Sequence, residues 1–79
     1  MLTALDWSGC PIIEQDLEKL HGAPTIRGIR ITPDAILDNF NDGLSVAEIL
    51  EQFGGITEQD VRTVLAYAEK QGFLARPLR

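Results

Sequence analysis

From residue 32 onward the apolar positions recur at helical spacing in three separate stretches. They are Ile36, Leu37 and Phe40, then Val46, Ile49, Leu50 and Phe53, then Val61, Val64, Leu65 and Ala68. Each stretch is preceded by the same entry chemistry: an apolar residue, a hydroxyl residue that can cap free backbone N–H groups, and a second apolar residue five positions after the first. In the first entry Ile31 precedes Thr32, Pro33 fits the first helical position where no N–H is needed, and Ile36 completes a hydrophobic staple. Leu44 and Ser45, with Glu48 and Ile49, make a capping box with a staple. Ile56 and Thr57, with Asp60 and Val61, repeat it. Gly43, then Gly54 or Gly55, then Gly72 are the stops. The N-terminal third follows a different rule, with β-branched runs at Ile12 to Ile13, Thr25 to Arg27 and Ile29 to Ile31 bounded by Pro11, Gly22, Pro24 and Gly28. Short strands are expected there, with one helical turn over Asp16 to Leu20. The pattern predicts a mainly α, three-helix helix-turn-helix domain (32–72) with a short N-terminal β element (1–31) and a tail (73–79). The second and third helices have helix-turn-helix proportions, which a bare αα-hairpin shares.

At 79 residues the chain is one domain. A chain of that size buries only roughly 60% of its unfolded surface, so a thin core and a homodimer that covers the short strand edges are expected. A single Cys and a single His leave no disulfide, zinc or His-cluster chemistry to build from. With no apolar run near the ~20 residues of a membrane span and no basic leader at the N-terminus, a cytoplasmic protein is expected. Charge then separates the partner classes. The net charge is −5, and from Ile31 to Val61 seven acids (Asp34, Asp38, Asp42, Glu48, Glu51, Glu58, Asp60) stand without one Lys or Arg. Such a surface suits a basic protein better than a phosphate backbone.

Candidate binding groups are few. Arg27 and Arg30 flank Gly28 and could reach phosphate or carboxylate, or equally tie the β element to Asp34 or Asp38. Asp34, Asp38 and Asp42 stand four apart and form one stripe, either a solvated face or a docking site for a basic protein. On the third helix Gln59, Arg62 and Thr63 suit contact with DNA bases, opposed by Glu58 and Asp60. His21 with Gly22 shapes a turn, Cys10 is a small apolar residue without an activating neighbour, and Trp7 and Tyr67 are packing residues before they are interface anchors. No phosphate loop, catalytic triad or metal pattern is present, so neither an enzyme nor a bound cofactor is expected.

The run His21-Gly22-Ala23-Pro24-Thr25-Ile26-Arg27-Gly28-Ile29-Arg30-Ile31, followed by Ile36-Leu37, Gly43-Leu44-Ser45, Glu48-Ile49-Leu50, Phe53, Ile56-Thr57, Asp60-Val61 and Leu65-Ala66-Tyr67-Ala68, resembles a family of small prokaryotic proteins. That family is the domain of unknown function four-three-three, many of whose members are antitoxin-like. The family usually reads Gly-Thr-Arg at Gly28-Ile29-Arg30 and an aromatic followed by Pro at Phe53-Gly54. The resemblance implies a helix-turn-helix protein that binds and neutralises a nuclease toxin resembling the metal-dependent PIN ribonucleases and that can also repress its own operon. A sequence-specific DNA-binding regulator without a toxin is the alternative. Against such a nuclease, Arg76 and Arg79 in the tail could pair with a carboxylate cluster. Otherwise Phe73 and Leu74 cover the protein's own core and the arginines stay in solvent.

Overall fold

A computed structural model describes residues 5–15, 24–26, 29 and 31–78. Two short strands, β1 (Ile13–Gln15) and β2 (Pro24–Ile26), precede three helices, α1 (Pro33–Asn41), α2 (Val46–Gln52) and α3 (Glu58–Lys70). The strands pair antiparallel, Ile13 opposite Ile26 and Glu14 opposite Thr25. The architecture is mainly helical with a short N-terminal β element, as the apolar periodicity predicts.

The three entries are built as their sequences require. Thr32 accepts from the Ala35 N–H at the start of α1. Ser45 and Glu48 form a reciprocal capping box on α2, and Thr57 and Asp60 form another on α3. Each such cap stabilises its helix by about 1 kcal/mol. The residues preceding the caps, Ile31, Leu44 and Ile56, lie half-buried against the core, where a staple places them. Both α1 and α3 end in a glycine-centred Schellman motif. The Gly43 N–H donates to the Phe40 carbonyl and Leu44 N–H to that of Asn39. Likewise Gly72 N–H donates to Glu69 and Phe73 N–H to Ala68.

All three helices pack on one another, and the core is the set of faces they share. Ile36, Ile49, Val61, Val64, Leu65 and Ala68 are wholly buried, joined by Leu37, Phe40 and Val46. The N-terminal segment completes it with Leu5, Trp7, Cys10 and Ile26. Trp7 sits in a single 3-10 turn, Trp7–Gly9, capped by Asp6.

The strand expectation is corrected in two places. Ile12 belongs to a turn and β1 begins at Ile13, while neither Ile29 nor Ile31 lies in a strand. Instead the Ile29 N–H donates to the Ile26 carbonyl at 3.0 Å and the Ile26 N–H to the Ile31 carbonyl at 2.9 Å. These local turn bonds take the groups that a longer ladder would need. The expected helical turn at 16–20 lies outside the described residues. Among the described residues no helix is long and apolar enough to cross a membrane.

Candidate functional site

Of the proposed base-reading residues, Gln59, Arg62 and Thr63 lie on the first two turns of α3, each paired with a side chain one turn away. The Gln59 side-chain amide donates to the Thr63 hydroxyl at 3.2 Å, and Arg62 Nε donates to Glu58 Oε2 at 2.7 Å. The ion pair is exposed on both sides, so it contributes little to stability. Its effect is electrostatic, because a carboxylate stands against the described basic group on the outward turn of α3. Arg27 and Arg30 lie outside the described residues, as do His21 and Arg79.

The acidic stripe of α1 divides. Asp38 and Asp42 are exposed, but Asp34 is half-buried and accepts from the Trp7 indole N–H at 3.0 Å. The buried ring of Trp7, tilted against Tyr67 at 5.6 Å, needs an acceptor for its one polar atom, and Asp34 supplies it. Tyr67 in turn donates its hydroxyl to the Asp6 carbonyl at 2.9 Å. Asp34 therefore serves the fold, and the exposed acids of the stretch from Ile31 to Val61 are Asp38 on α1, Asp42 at its C-cap, Glu48 and Glu51 on α2, and Glu58 at the start of α3. Glu48 is held below the ordinary carboxylate range, first by the Ser45 backbone N–H and then by its hydroxyl, with a smaller pull from Arg76.

In the tail Phe73 and Leu74 pack half-buried against the core, as the second expectation has it, but Arg76 departs from both expectations. Arg76 neither stays in solvent nor extends outward. It is half-buried, with its guanidinium 3.9 Å over the Phe40 ring, Nε donating to the Phe40 carbonyl at 2.9 Å and Nη2 donating to the Leu44 carbonyl. Arg76 and Pro77 form one wall of a cleft of about 270 Å³ whose other sides are Phe40, Ser45, Val46, Ala47 and Arg62. Asn41, which no sequence motif singles out, holds the tail backbone through both ends of its amide. A signal for this contact was present in part: α1 has no basic residue in its last turn, and a later arginine is a natural complement to it. Cys10 is buried, and desolvation pushes its thiol up, away from the reactive thiolate. No three metal-ligating side chains come together among the described residues.

Residues 13–68, from β1 to the last buried position of α3, match the family described as Protein of unknown function (DUF433). The chain belongs to this family. Neither the comparison with curated proteins nor that with solved structures returned a match. The DUF433 span stops at Ala68, before Gly72 and the tail, and it begins after Trp7. Within it, the Ile29 side chain lies beside Gly55 in the turn between α2 and α3.

Proposed function

We propose that this DUF433 protein is an antitoxin-like, non-catalytic partner that binds and neutralises a nuclease toxin resembling the PIN ribonucleases, docking a basic face of the toxin on its acidic helices. The observation that carries the reading is the arrangement of charge. Asp38, Asp42, Glu48, Glu51 and Glu58 are exposed on three successive helices, and the stretch from Ile31 to Val61 holds no Lys or Arg. A positive surface approaching it is steered and selected by complementary charge, whereas a nucleic-acid backbone is repelled. The protein acts as a cytoplasmic homodimer in this reading, with strand edges paired across the two-fold axis.

The test is neutralisation of the nuclease encoded beside the gene. D38K/D42K should weaken both binding and inhibition on the order of tenfold, chiefly through slower association. Unchanged inhibition by the charge-reversed protein, or a neighbouring gene product without nuclease activity, overturns the reading. A second reading, a sequence-specific DNA-binding regulator, is favoured by the α2–α3 pair with Gln59 and Thr63 on the outer turns of α3. Because Glu58 holds Arg62, the free protein should bind DNA weakly and with steep salt dependence.

A further inference from the structure

Residues 73–78 run back along the end of α1 and its junction with α2. Asn41 meets this strap as a neighbouring strand would. Its Nδ2 donates to the Phe73 carbonyl at 3.1 Å, and the Ala75 N–H donates to its Oδ1 at 2.7 Å. One residue on, Arg76 is received by an aromatic face and two carbonyls, those of Phe40 and Leu44. The receiving groups are thus a π-face, the negative end of a helix that has no basic residue in its last turn, and an amide offering a donor and an acceptor. What they read is a non-helical segment, bent at Ala75 and Arg76, that offers a carbonyl, an amide N–H and one guanidinium. Nothing in that chemistry requires the chain to be the protein's own.

We propose that this corner is a receptor for an arginine-bearing, non-helical segment of a partner protein, and that in the free protein its own tail occupies it, so that tail and partner compete. The inference rests on the protein-binding reading above, whose acidic helices favour the same basic class of partner. Gly72, at φ +83°, ends α3 and sets the direction of the strap, and the connection to it is short. A short tether holds the tail at an effective concentration of about millimolar. A partner segment therefore displaces it only when further contacts present that segment, and the strap acts as a threshold against weak basic ligands.

The probe is a fluorescent peptide with the sequence of residues 73–79, beside the same peptide carrying Ala in place of Arg76. The proteins are the full chain, R76A, which removes the competing guanidinium, and A75P, which removes the strap's amide donor to Asn41. Both variants keep Phe40, Asn41 and Leu44, and circular dichroism selects whichever of them retains the fold. Fluorescence anisotropy should show the variant binding the arginine peptide at least about tenfold more tightly than the wild type, with the alanine peptide left unbound. In R76A the Ala75 amide should also exchange faster. Equal affinity of variant and wild type, equal binding of the two peptides, or unchanged Ala75 exchange in R76A overturns the proposal. A wild-type dimer that R76A abolishes overturns it too, by assigning the corner to a second copy's tail. Loss of the D38K/D42K effect with peptide binding intact overturns the antitoxin reading alone.

Discussion

Helices α1 and α3 have similar faces and differ in where their ends are satisfied. α3 carries its own capping box at Thr57 and Asp60, its own Lys70 in the last turn and its own Schellman glycine, and it buries Val61, Val64, Leu65 and Ala68 completely. α1 has a cap at Thr32 and a Schellman glycine as well, but the rest arrives from elsewhere. Trp7 reaches the first-turn Asp34 from 27 residues away, and Arg76 reaches the Phe40 carbonyl from 36 residues away. The ends of α3 are thus set by its local sequence, although the side chain of Tyr67 also reaches Trp7 and the Asp6 carbonyl. α1 is held between the two ends of the chain, and anything that moves either end is felt there. The proposed docking face, on Asp38 and Asp42, lies on the helix of the second kind.

The largest effect should come from α3. L65A opens a cavity at a wholly buried position and should cost about 2–5 kcal/mol, with all helices lost in a single denaturant transition. Helices melting in separate steps would show that α3 does not organise the others. Next is the pair that distinguishes the helix starts. D34A leaves the indole N–H of a residue 2% exposed without its acceptor, at about 1–3 kcal/mol. E58A, the matching first-turn change on α3, breaks only an exposed ion pair and should stay within about 0.5 kcal/mol. Equal losses in the two variants would break the contrast.

What could be read from the chain follows the same division. Caps, staples and glycine stops act within a few residues, so Thr32, Ser45, Thr57, Gly43 and Gly72 announce their helices and the buried stripes follow from the spacing. β-Branched composition at Ile29 and Ile31 points to a strand and does not reveal that the Ile26 N–H turns back to the Ile31 carbonyl. Helical spacing sets Asp34 in the acidic stripe because it gives the face of a side chain and not what packs on it. Trp7 could have pointed to the correction, since a buried indole must find an acceptor, but it does not say which one. The tail is the extreme case. Alternating apolar residues and arginines fit an outside partner as well as the protein's own α1, and only the fold decides between them.

Substituting the two Schellman glycines compares the helix C-termini. Gly43 and Gly72 both have φ in the left-handed region, at +112° and +83°, and neither has a neighbour that an added Cβ would strike. Conformational strain of about 1–2 kcal/mol is therefore expected in both G43A and G72A. G43A should be the costlier, because the Phe40 carbonyl that receives the Gly43 N–H also receives Arg76. Denaturation midpoints give the totals, and the Ala75 amide exchange rate should rise further in G43A than in G72A. The reverse order would mean that the strap depends on where α3 ends and not on where α1 ends.

The smallest effect is a titration at the α1–α2 junction. The Glu48 carboxylate is favoured in the fold by the Ser45 N–H first, the Ser45 hydroxyl second and Arg76 last, so its folded pKa lies below its unfolded one. Its contribution is therefore full above the unfolded value and fades as pH falls through the folded value. Carboxyl NMR titration should place Glu48 below an ordinary glutamate in the wild type. S45A, which removes the hydroxyl and loosens the box that aims the backbone N–H, should raise it. R76A should raise it by less, since Arg76 acts on Glu48 only through its charge. If R76A moves Glu48 as far as S45A does, the strap controls the geometry of the α2 cap as well as its field, and the entry to α2 would join α1 among the elements held by the ends of the chain.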